Sequence, residues 1–124
     1  MLKETRELLE RAIQRAEELG VPMSIAVVDS GGHLVALVRM DGAGFATPEI
    51  AWGKAWTAAA FGIPTAALAE RIGSAFAFSA AVSAATHGRF TPRQGAVPLP
   101  RGGGVGASGG TTEQDEDVVR VAIG

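Results

Sequence analysis

The chain opens with apolar residues at helical spacing. Leu8, Leu9, Ala12, Ile13, Ala16 and Leu19 share one face, while Lys3, Glu7 and Arg11 mark a charged face at i,i+4 intervals. This predicts an amphipathic helix over residues 2–19, stopped by Gly20 and Pro22. The period then shortens to that of strands. Ile25 to Val28 and Leu34 to Val38 are runs of β-formers around Asp29-Ser30-Gly31-Gly32-His33, a set that accepts positive φ and Asx-turn geometry, so an antiparallel hairpin is expected. Thr47 and Pro48 offer a capping hydroxyl and a proline for the first turn of a second helix, which runs to Phe61 and stops at Gly62.

Ile63-Pro64-Thr65 begins a short third helix ending near Arg71. Ser74 to Thr86 reads as an alanine-rich helix with Phe76, Phe78 and Val82 as its bulk, and its small residues predict close packing against neighbouring helices. From Arg89 the pattern is strand-like again. Arg89-Phe90-Thr91, Ala96 to Leu99 and Val105 to Ser108 are three candidate strands, with Arg101 to Gly104 turning between the last two and Pro98 and Pro100 arguing for a sheet edge. Thr111 or Thr112 caps a final helix, and Thr112 with Asp115 reads as a capping box. The expectation is one α+β domain over residues 1–124, with an antiparallel sheet of about five strands and helices packed on it.

Composition narrows the function classes. A chain of 124 residues builds one core, removing roughly two-thirds of its unfolded surface from water. The formal charge of −2 comes from interspersed acids and bases, so there is no basic footprint for nucleic acid and no polybasic patch for a membrane surface. With no cysteine, thiolate chemistry, disulfides and cysteine-held metals are excluded. The mixed charges of MLKETRELLE do not resemble a secretory signal, and no run approaches a spanning helix, so a cytoplasmic location is expected.

Four blocks, VVDSGGHLVALVRMDGA, EIAWGKAWTAAAFG, GAVPLP and GASGGTTEQDEDV, stand in this order along the chain. Together they resemble the GlcG/HbpS family of small haem-binding-type domains, to which the C-terminal domain of PduO-type corrinoid adenosyltransferases is similar. The resemblance covers nearly the whole chain. It implies a GlcG/HbpS-like, profilin-like α+β domain, haem as a possible cofactor, and assembly into homo-oligomers such as tetramers or octamers. This sequence departs from the pattern in a shorter hairpin at Arg101 to Gly104.

The candidate chemistry is sparse. Lys54 sits among apolar neighbours in AWGKAWTAAAF, so its ammonium must snorkel, find a buried acceptor, or anchor a ligand carboxylate. Arg39, ahead of the Asp41-Gly42 turn, is a second candidate anchor with Asp41 as its competing partner. Trp52 and Trp56 share a helix face and suit either packing or a flat aromatic ligand, Trp56 being taken with Lys54 and Arg39 as ligand-binding. Haem iron takes His, Met, Cys or Tyr as axial ligand, which leaves His33, His87, Met23 and Met40, with the two histidines preferred. GASGG matches the Gly-x-Ser-x-Gly pattern around Ser108, yet the chain is too small for the hydrolase sheet that gives this pattern meaning. The acids Glu113, Asp115, Glu116 and Asp117 repel polyphosphate from the glycine-rich segment. The expected function is a small soluble protein binding haem or a related flat anionic ligand. The alternative is a cofactor-independent enzyme on a carboxylate metabolite, with Lys54 and Arg39 holding the substrate and Asp41 or Glu49 moving a proton.

Overall fold

A computed structural model describes residues 1–124. Its elements are α1 (Leu2–Leu19), β1 (Ser24–Val28), β2 (Leu34–Arg39), α2 (Thr47–Phe61), α3 (Thr65–Ile72), α4 (Phe76–Ala85), β3 (Ala96–Pro98), β4 (Gly104–Ser108) and α5 (Thr112–Ile123). The four strands form one antiparallel sheet in the order β2-β1-β4-β3. Pro98 therefore lies on an edge strand, where its missing N–H leaves no gap in a ladder. A register shift between Val27 and Val28 accommodates the hairpin turn.

Alternation along the central strands sorts their side chains into two layers. Ile25 and Val27 of β1, with Val105 and Ala107 of β4, face α1 and α5 and join Leu8, Ala12, Ala16, Val118, Val119 and Ala122 in the larger core. Ala26 and Val28 face α2 and meet Ala51 and Ala55. On that side β4 carries Gly104 and Gly106. A Cβ at Gly106 would stand 2.5 Å from the Ala51 carbonyl and one at Gly104 would overlap the Ala55 carbonyl, so glycine is what lets the α2 backbone rest directly on the strand.

Four expectations are corrected. The sheet has four strands, not about five, because Arg89-Phe90-Thr91 is a loop tied to α2 through Thr57. Thr47 does not cap α2: the N-cap is Ala46, and the Thr47 hydroxyl donates to the Gly44 carbonyl and bonds Ser24 Oγ at 2.8 Å. The capping box on α5 is Thr111 with Gln114, since the Gln114 amide donates to Thr111 Oγ1 while Gln114 Oε1 accepts from the Thr111 amide. The alanine-rich helix α4 does not bury itself in the fold, and none of its residues is buried. No helix is long and apolar enough to cross a membrane.

Candidate functional site

Lys54 lies in the middle of α2 on the face turned toward β4, and 1% of its side chain is exposed. Its ammonium donates to the Ala107 carbonyl at 3.0 Å and to Asp115 Oδ2 at 3.1 Å, while Asp115 Oδ1 accepts from the Gly110 amide. Asp115 is in the first turn of α5, so the pair joins the two helices across the end of β4. Burial pushes the Lys54 pKa down and the Asp115 pKa up, and their mutual attraction offsets part of each shift. A ligand carboxylate could reach Lys54 only by displacing Asp115 from a closed site. Sequence reading missed this partner because Asp115 stands 61 positions away and presents itself as a capping residue.

The other expected residues are dispersed. Arg39 is exposed at the end of β2 and lines an open groove with Ile13, Glu17, Met40 and Asp41, without an ion pair to either acid. Trp56 is half-buried behind the hairpin turn, where a Cβ on Gly32 would stand 2.8 Å from its Nε1. Glu49 is exposed in the first turn of α2. Trp52 lies under the Arg89 guanidinium, 3.8 Å from the ring centroid. Lys54, Arg39 and Trp56 therefore do not converge on one cavity.

The iron donors fit a haem slot poorly. The side chain of His33 is 84% exposed in the hairpin turn, 3.5 Å from Asp29 Oδ1. His87 is exposed just beyond α4, on a residue with φ of 55°. Met23 is fully buried in the core, and Met40 lies in the acidic groove beside Arg39. No cluster of His, Asp or Glu is arranged to hold a metal ion directly.

Apolar walls occur elsewhere. Phe61 from the end of α2, Leu68 and Ile72 of α3, and Ala75 and Phe78 at the start of α4 line an open cleft of about 430 Å³, with Arg71 as its charged residue. Buried Phe90 packs against two of these walls, with ring centroids 5.4 Å from Phe61 and 6.2 Å from Phe78, the latter in an edge-on arrangement. A smaller cavity of about 210 Å³ between α1, α5 and the turn after β3 has its charges already engaged: Arg101 meets Glu4, and Arg11 donates to the Ala122 carbonyl.

Known proteins place the chain in a family. A model of the haem-degrading protein HbpS-like family matches residues 1–124. The corrinoid adenosyltransferase PduO of Citrobacter freundii is 35% identical over 98% of the chain, which spans 37% of that protein's length. Among solved structures, the PduOC:haem complex superposes with a TM-score of 0.89 at 31% identity, covering 99% of this chain and 91% of the other. A double mutant of Streptomyces reticuli HbpS superposes with a TM-score of 0.84 at 27% identity, covering 99% and 84%. Matched over its full length in sequence and in fold, the chain belongs to the HbpS-like family.

Proposed function

We propose that this protein binds haem or a related flat anionic ligand, as a small non-catalytic binding protein. The supporting observation is the superposition, over nearly the whole chain, on PduOC, a protein seen in complex with haem. The chain itself adds an aromatic cleft large enough for a small-molecule ligand. The alternative enzyme reading finds no support in the geometry. Lys54 is engaged by Asp115, and Asp41 and Glu49 stand exposed without a nucleophile or base beside them. Adenosyl transfer is named for relatives nearly three times as long, of which this chain matches about a third.

Self-association belongs to the same reading. Phe76, Ala77, Ala80, Ala81 and Ala84 form an exposed, charge-free outer face on α4, which supports a homo-oligomer, a tetramer or octamer being expected. The expected compartment is the cytoplasm. Haemin titrated into the protein and followed in the Soret region tests the proposal, beside a thermal-shift screen of small carboxylates. Saturable binding at micromolar haemin supports it. A flat titration with a stabilising small carboxylate would favour the enzyme reading instead.

A further inference from the structure

Resting on that reading of the ligand, we infer that the ligand site is the cleft between α2, α3 and α4, which holds a planar apolar carboxylate by its ring and its acid group and lends no axial ligand to a metal. The walls are Phe61, Leu68, Ile72 and Phe78, from three helices, and Phe90 of the loop after α4 packs against Phe61 and Phe78. Such a surface takes a flat hydrophobic body edge-on or offset-stacked, the arrangements that aromatic rings favour.

Charge decides which kind of flat body. Arg71 lies at the cleft and makes no ion pair and no hydrogen bond within the chain. No other charged side chain lines the cleft, and no Asp, Glu, Lys or Arg occurs between Arg71 and Arg89. An unpaired guanidinium beside an apolar slot complements a carboxylate attached to an apolar ring, through two parallel N–H donors. Lys54, the cation that the sequence places among aromatics, is already neutralised by Asp115.

The donor set carries the second half. Among the cleft residues none is His, Met, Cys or Tyr. His87 follows α4, but it is exposed and is not part of the lining. A tetrapyrrole seated here is recognised by its ring and propionates, so the metal-free ring should bind as well as the iron complex.

Haemin and metal-free protoporphyrin IX are titrated against the wild type, Arg71→Met, Ala75→Trp, and a His33→Ala/His87→Ala double variant, by Soret absorbance and by tryptophan quenching. Arg71→Met keeps the apolar stem and removes the charge, and should weaken both ligands about tenfold or more. Ala75→Trp fills the cleft with Arg71 intact and should weaken both to a similar degree. The histidine variant should bind both as the wild type does. Wild-type haemin binding that is unchanged in Arg71→Met and Ala75→Trp overturns the cleft and leaves the haem reading standing. Binding of haemin without protoporphyrin IX, or loss of haemin in the histidine variant, also overturns it. A light-scattering mass that falls in Ala75→Trp without ligand assigns the cleft to a second copy of the chain and overturns the inference. No binding of either probe by the folded wild type removes the proposed function and the cleft together.

Discussion

Lys54 and Asp115 are charges removed from water and stabilised by each other, so removing either one leaves its partner buried and unpaired. Asp115→Asn keeps an acceptor for the Gly110 amide but sets an amide N–H against the Lys54 ammonium. Stability measured by urea unfolding should fall by about 3–5 kcal/mol. Adding Lys54→Met removes the stranded charge, so the double variant should be more stable than Asp115→Asn alone; a further loss equal to that of Lys54→Met by itself would show the two residues to be independent. Lys54→Met should leave haemin affinity unchanged. An affinity lower by about tenfold in a folded Lys54→Met protein would return this residue to the ligand site. Asp29 provides the pH test. Its carboxylate accepts the His33 and Gly31 amides in the hairpin turn, and these bonds hold its pKa below the ordinary 3.8. The unfolded chain therefore binds this proton first, so the contribution is complete above about pH 3.8 and is lost as the pH falls through the lower folded value. Asn keeps the acceptor without the titration. The urea midpoint of Asp29→Asn should decline less steeply than that of the wild type below pH 3.8, and parallel curves would show that the turn is not strengthened by the charge.

At the scale of elements, α2 on β4 is the contact that fixes the layer order. Gly106→Ala introduces a methyl into the Ala51 carbonyl, a clash with backbone that no rotamer relieves, and should cost about 1–3 kcal/mol or more in urea unfolding. An unaltered midpoint would mean that α2 can lift from the strand freely. The elements legible in the sequence are those whose pattern has one dominant period. The apolar stripe from Leu8 to Leu19, with the charged pairs before it, predicts α1 over the residues 2–19 that form it, and the β-formers around Asp29 to His33 define the hairpin to within a residue at each end. The failures have local causes. Arg89-Phe90-Thr91 has strand composition, but Thr57 of α2 accepts the Thr91 amide, and Phe90 is drawn into contact with Phe61 and Phe78. The composition of α4 is apolar all round and so has no face to assign; it announces a helix without saying what the helix lies against. The candidate site was less legible still. Arg71 lies on a short helix to which the sequence pattern assigns no chemistry, and what marks it is that no acid lines the cleft it borders, a cleft assembled from residues 61 to 78 that no local pattern displays. Asp115 was hidden in the same way, as one of four acids in a helix start whose other members face outward or only partly inward.

For the whole molecule, α4 divides its surface between two uses. Phe78 and Val82 lie four residues apart on its inner side, where Phe78 meets Phe90 and both are less exposed than Phe76. Phe76, 78% exposed, and Ala80 lie four apart on the outer side, and no charged residue is present on the helix to keep that face in water. Alanine and serine around one large aromatic permit a close helix-to-helix approach, so a second copy of α4 would bury Phe76 against small residues. Light scattering at micromolar concentration should return a mass several times 12.7 kDa for the wild type. Replacing Phe76 or Ala80 with Glu places a carboxylate in that contact and should reduce the mass toward 12.7 kDa, while Phe45→Glu, at a still more exposed phenylalanine in the loop before α2, should leave it unchanged. Because the cleft opens on the inner side of the same helix, the Phe76→Glu monomer should still bind haemin. Loss of haemin binding together with assembly would instead mean that the ligand sits between copies, and a wild type that is monomeric at this concentration would leave the outer face of α4 without this role.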